Sequence, residues 1–472
     1  MPPRRRISAR RQWSACVGAL MLATVATAGC TSPPPDPTDP ANRAEGTGTI
    51  VWVSSPTLRN ASDDARQVLV DAFEQAYPSI KVDLQPGPDN SDRLREQVSG
   101  EISAGSVTPD VYSGDVVWPA DFAHDGLALP LNEYLPDSFW SQFAKPGTAL
   151  AANTLIQAMS YRGKIYAVPY FIDEGFLFYR KDLLAQAGLP APATWEQLVA
   201  DAKALKKLGL PYQFAWQGDA YEGLMCDWIE LLADAYGGQS TPDSSAVDQM
   251  TAARLASPQA LKALDFLRTL INDGWSPADV AGYEEPQGDS AFDSGNAAFL
   301  RSWDSSYANA VSATSVIHDS QKVGVMPLPT FAGQQGPGFS VIGGWNLFIN
   351  PHSRNLTADL TFLRWMVGPQ AQRILATQFS EIPSNYAVGT SPSVTSNRPV
   401  FAAAARTRRI NRPSSAPGYN ELSRIIYLTL HQALPAKPNA RAADPCTTLL
   451  SAATQIDPKV HSTLPCIAAG GG

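Results

Sequence analysis

The run Trp216-Gln217-Gly218-Asp219-Ala220-Tyr221-Glu222-Gly223-Leu224-Met225-Cys226-Asp227-Trp228-Ile229-Glu230 sets indole, phenol, amide and carboxylate groups close together, then continues as an apolar helix. An aromatic ring offers a flat face to the C–H side of a pyranose, and an ionised carboxylate is a strong acceptor for hydroxyls. Gly343-Gly344-Trp345 adds a second indole beside bare backbone, and Arg412-Pro413 adds a guanidinium. Asp115 and Asp173 supply further carboxylates. This chemistry suits a small, uncharged, polyhydroxylated ligand. The same acids, Asp115, Asp173 and Glu222, could also furnish the carboxylate pair of a glycoside hydrolase, about 5 to 10 Å apart. Nothing in the chain marks one of them as a raised-pKa acid. Each residue also has a structural reading: an Asp after a strand caps a helix, a Glu at a helix start complements the dipole, and a lone Trp packs in a core.

The elements that must position these groups follow from periodicity. Gly48 to Val53 reads as a strand, Asp63 to Tyr77 as a helix stopped by Pro78, and Ile80 to Leu84 as a second strand. Asp92 to Ser103 is a second helix, and Pro109-Asp110-Val111-Tyr112 leads into a third strand. Alternating strands and helices predict an α/β fold with a parallel sheet. Ligands of such sheets sit at the carboxyl ends of strands, where Asp115 falls. Lys164 to Pro169 and Phe176 to Arg180 read as strands, with Asp173 in the loop between them. A short helix from Lys181 stops at Gly188, Thr194 caps another with Gln197 three residues on, and the chain stays mostly helical to about 275. Ser290 to Phe299 reads as helix, Val323-Gly324-Val325 and Leu347-Phe348-Ile349 as strands. Leu356 to Val367, Gln370 to Gln378 and Leu422 to Leu434 read as helices.

The N-terminus is an address. Arg4, Arg5, Arg6, Arg10 and Arg11 precede an apolar, small-residue run, an export signal over residues 1–29. Thr27-Ala28-Gly29-Cys30 resembles a bacterial lipobox with Thr27 in place of the usual Leu, and Arg10-Arg11-Gln12-Trp13 faintly resembles a twin-arginine signal. Residues 30–45 hold the expected lipidated Cys30 and a Pro-rich tether. The 472 residues, 44% hydrophobic and 17% charged, suit one large or two medium domains. Removing the signal removes five arginines and no acid, so the formal charge moves from -8 to -13. That balance argues against nucleic acid or anionic lipid headgroups as partners. No Cys/His spacing suggests a metal site. Cys226 reads as a buried thiol, and Cys446 and Cys466 as a disulfide in an exported protein.

The chain closely resembles the extracytoplasmic sugar-binding proteins of ABC importers, within them the trehalose/maltose-binding branch. The resemblance rests on Gly114 to Trp118, Leu127 to Leu131, Tyr166 to Pro169, Tyr179 to Leu184, Trp216 to Glu230, Phe292 to Trp303, Gly343 to Trp345 and Arg412 to Tyr419, in family order. It implies a two-lobed fold with a hinge and an interlobe cleft, lobe one at 46–157 plus 346–395 and lobe two at 158–345 plus 396–472. It implies that Asp115, Asp173 and Glu222 accept hydroxyls, Trp303 and Trp345 stack on the sugar, Gly343 and Gly344 admit it to the backbone, and Arg412 donates. Trp118 and Tyr221 are secondary candidates. It implies no catalytic residue and no cofactor. Expected partners are a disaccharide such as trehalose or maltose, a permease, and the membrane through the lipid anchor, with the protein a monomer. A polyol, an oligosaccharide or a hydrolase function are the alternatives. The chain departs from the family pattern in the loop Ser54 to Asn60, which lacks an acid, at Phe171 in place of Tyr, and at Ser302 in place of Asn.

Overall fold

In the computed structural model, strand β1 (Gly48–Ser54) lies between β2 (Ile80–Pro86) and β3 (Val111–Asp115), parallel to both. The structure describes residues 46–56, 63–149, 152–237, 247–396 and 398–464. The export signal, Cys30, the tether and Cys466 lie outside the described residues. The connecting helices, Ala65–Ala76 and Ser91–Ser103, form because each pairs an apolar face with an acceptor at its N-cap. Leu69, Val70 and Phe73 line the first face and Leu94, Val98 and Ile102 the second, and the capping side chains are Asp64 and Asn90.

The later strands are β4 (Ser160–Tyr161), β5 (Lys164–Ile165), β6 (Val168–Glu174), β7 (Phe176–Arg180), β8 (Phe214–Ala215), β9 (Phe299–Ser302), β10 (Val323–Pro327), β11 (Phe339–Ile349), β12 (Ile382–Pro383) and β13 (Arg408–Ile410). A seven-stranded sheet runs β12-β6-β11-β3-β1-β2, with β13 pairing β11, and a four-stranded sheet runs β10-β7-β9-β8. Each sheet has its own core. Trp52, Tyr112, Phe348 and Phe362 belong to the first. Trp195, Trp216, Trp228 and Leu264 belong to a core beside the second. Strands β6 and β7 are consecutive in the chain but belong to different sheets, so the polypeptide passes from one to the other at Gly175.

Several elements differ from the sequence reading. Asp173 is not in a loop: β6 runs unbroken to Glu174 because β11 and β12 pair with it on either side. The helix expected at Ser290 to Phe299 is displaced, spanning Glu285–Asp293, and Phe299 opens strand β9 beside β7. The first core continues through Met159, Ile165, Val168, Tyr170 and Phe171, beyond position 157. The helix Pro445–Ile456, capped by Asp444 and starting with Pro, was not anticipated. Cys446 on it is disulfide-bonded. Among the described residues no helix is long and apolar enough to cross a membrane.

Candidate functional site

Strand register brings the first groups together. Trp345 on β11 stands opposite Asp115 at the end of β3 and opposite Phe171 on β6, while Gly343 stands opposite Asp173. Gly344 has φ +115°, and a Cβ there would come within 2.4 Å of the Phe171 carbonyl oxygen. The close approach of β6 therefore demands glycine at this point. A Cβ at Gly343 would lie 3.0 Å from the Trp303 ring. The glycines thus let Trp303 and β6 pack close to β11.

These residues line a cleft of about 750 Å³, including the solvent at its mouth. Asp115, Asp173, Tyr221, Glu222, Trp303, Gly343, Gly344, Trp345 and Arg412 all border it. Trp118 does not: it is 2% exposed and meets the Trp345 ring edge-on at 6.3 Å, supporting that indole from behind. Trp216, the first residue of the run that ends at Glu230, is also turned away, its Nε1 donating to Ser276 Oγ at 2.9 Å inside the second core.

Arg412, just past β13, forms the charged centre. Its Nη2 donates to Asp115 Oδ1 at 2.8 Å and its Nη1 to Glu222 Oε1 at 2.8 Å. Glu222 begins the helix Glu222–Ala235 and also accepts from Tyr419 Oη at 2.6 Å and Ser423 Oγ at 2.5 Å. Burial pushes its carboxyl up to about 7, against the pull of the Arg412 guanidinium. Arg412 Nε has no hydrogen-bond partner.

The Trp303 side is built by Arg301 on β9. Its guanidinium lies 4.3 Å from the Trp303 ring centroid. It donates to both oxygens of Glu230 at 2.7 and 2.9 Å and to Gln217 Oε1 at 2.7 Å. Trp303 Nε1 donates to Glu285 Oε1 at 3.3 Å, and Tyr221 Oη donates to Glu285 Oε2 at 2.7 Å. Rotamers locked this way hold an indole face in place before any ligand arrives. At the cleft floor, carboxyl oxygens of Asp173, Asp304 and Glu381 lie within 4.8 Å of one another. Burial pushes the Asp173 carboxyl up to about 6.

Sequence reasoning missed Glu285, Asp289 and Glu381 on the cleft wall. Glu285 had a faint signal in Glu284-Glu285-Pro286, a helix start with an acid in the first turn. Glu381 had none, sitting in an irregular turn before the two-residue strand β12.

Contacts also span the cleft. Glu284 Oε1 accepts from Asn90 Nδ2 at 2.8 Å and Arg93 Nη2 at 2.9 Å. Glu222 N donates to Asp92 Oδ2 at 3.3 Å.

Residues 59–373 match the family model for bacterial extracellular solute-binding proteins. A Deinococcus radiodurans protein named "Probable ABC transporter-binding protein" is 31% identical over 368 residues, 75% of this chain and 82% of that one. A mannitol-binding protein of Pseudomonas aeruginosa is 26% identical over 366 residues, covering 76% of this chain and 77% of its own. The solved structure of maltose-bound T. maritima MalE3 superposes with a TM-score of 0.74 at 29% identity, covering 86% of this chain and 98% of that one. The chain belongs to the bacterial extracellular solute-binding protein family, and its fold is that family's two-lobed α/β fold. An extracytoplasmic location follows from the family.

Proposed function

We propose that this family member captures a sugar for an ABC importer, taking a disaccharide of the trehalose or maltose kind into its cleft and handing it to a permease. The observation that carries this reading is the pair of indoles, Trp303 and Trp345, facing one cavity with Asp115, Asp173, Glu222 and Arg412 on its walls. Rings supply stacking surface, carboxylates accept hydroxyl protons, and the arginine fork donates. The maltose-bound relative and the mannitol-binding relative support a polyhydroxylated cargo. The contacts spanning the cleft support closure around that cargo, since closure is driven by interactions present only in the closed state.

In this reading the protein does no chemistry, works as a monomer, needs no cofactor, and is held at the membrane by lipidated Cys30. The bounds put forward are 46–157 plus 346–395 for lobe one, whose core runs on to Phe171, and 158–345 plus 396–472 for lobe two. A polyol or longer oligosaccharide is the alternative cargo, favoured by the mannitol-binding relative. Calorimetric titration of residues 46–472 with a sugar panel tests the reading. Mass spectrometry of the membrane-associated protein tests the acylation of Cys30.

A further inference from the structure

The Arg412 guanidinium neutralises the Asp115 and Glu222 corner of the cleft, but the opposite corner has no such partner. Glu381 is fully buried on the cleft wall, and no backbone N–H or side-chain cation among the described residues donates to either of its oxygens. Asp173 on β6, Asp304 after β9, the Tyr170 phenol and the Ser305 hydroxyl surround it. Asp115 and Glu285 face Asp173 from the cleft walls. The nearby cation, Arg398, donates instead to Ser380 Oγ at 2.5 Å. Asp304 spends its oxygens on backbone, accepting Glu174 N at 3.2 Å and Ile382 N at 2.8 Å, while burial and the Asp173 charge push its carboxyl well above its ordinary value. Among the described residues no lysine or arginine pairs with these three carboxyls, and their mutual repulsion when ionised favours holding a proton among them.

We propose that Glu381 is a specificity-determining residue of the cleft, standing as a neutral carboxylic acid that shares its proton with Asp173 and so offers a ligand hydroxyl a donor as well as acceptors. This rests on the proposed sugar-binding function. A carboxylate can only accept, whereas the protonated pair discriminates sugars by which oxygen needs a donor. Burial raises the Glu381 carboxyl well above its ordinary value and Asp173 to about 6. Asp173 therefore gives up its own proton near 6, and the pair loses its last proton, with the cleft gaining a repulsive charge, only as pH rises toward the raised Glu381 value.

The test is calorimetric titration with maltose and trehalose from pH 5.5 to 8, in buffers of different ionisation heat, on wild type and Glu381→Gln. Wild type should bind about fivefold or more weakly at the top of the range and exchange protons on binding. Glu381→Gln should keep the Asp173 step near 6 but lose the weakening above pH 7, whatever its absolute affinity. A flat wild-type profile, or a variant that keeps that weakening, overturns the proposal. Carboxyl-13C glutamate spectra of the free protein give a readout independent of sugar. One carboxyl should remain protonated at pH 7 and vanish in Glu381→Gln. Finding Glu381 ionised at pH 7, or binding added calcium, overturns the proposal too. If no sugar binds but the protonated carboxyl is present, the sugar assignment fails and the shared proton stands.

Discussion

Arg412 and Asp115, separated by 297 positions in the chain, form a two-pronged ion pair, with Nη2 2.8 Å from Oδ1 and Nη1 3.3 Å from Oδ2. One end of the pair follows β13 and the other closes β3, so it joins β11's neighbours on both of its halves. Nη1 also holds Glu222, so one guanidinium neutralises two buried acids. Arg412→Ala leaves both acids uncompensated, which costs about 3 to 5 kcal/mol for a broken buried pair. The expected outcome is a clear drop in Tm and loss of sugar binding. Arg412→Lys should restore little, because a point charge cannot span both carboxylates. Thermal denaturation with and without sugar separates the two effects.

Trp345 lines the cleft while Trp118 fills the core behind it. Trp345→Ala should therefore weaken sugar binding by about 1 to 3 kcal/mol through lost stacking and burial. Tm without ligand should fall much less. Unchanged affinity in the folded variant would remove Trp345 from the site.

The parallel start of the large sheet was legible because its helices carry clean 3.6-residue faces and Asp or Asn caps, as at Asp64 and Asn90. The positions bordering the cleft were legible where they share motifs with strong chemical character, Asp115, Glu222 and Trp345 among them. Asp173 was assigned to the wrong element because β6 is buried on a central strand, where alternation gives way to a continuous apolar run. Trp216 and Trp303 are both indoles near carboxylates, and nothing local says that one packs under Ser276 while the other faces the cleft. Only the paired sheets decide that. Glu381 was invisible because the turn that aims it has no periodicity.

Closure should depend on Glu284, which reaches Asn90 and Arg93 across the cleft. Arg93 is largely exposed, with 65% side-chain accessibility, so the pair contributes modestly. Glu284→Ala should raise the sugar Kd by roughly two- to fivefold, mainly through faster release, as expected for loss of a contact worth under about 1 kcal/mol. Stopped-flow fluorescence of the cleft tryptophans gives the rates.

Asp359 should make stability fall with pH. It is fully buried and accepts Ser353 Oγ at 2.6 Å. Burial first, and then the Asp110 charge, push its carboxyl up to about 8. The unfolded chain ionises this group near its ordinary value of 3.8. Its contribution is thus full below that point and is lost as pH rises toward 8. Asp359→Asn should raise Tm most at pH 8, with the gain shrinking toward pH 4. A gain of equal size at both ends would refute the titration argument.

The most direct test of the central claim is isothermal titration of residues 46–472 with trehalose, maltose, sucrose, glucose and mannitol. The expected result is one-to-one binding of a disaccharide, with a negative heat-capacity change from buried ring surface and no breakdown of the sugar. Heat from none of the sugars, or hydrolysis of the disaccharide during the titration, would contradict it.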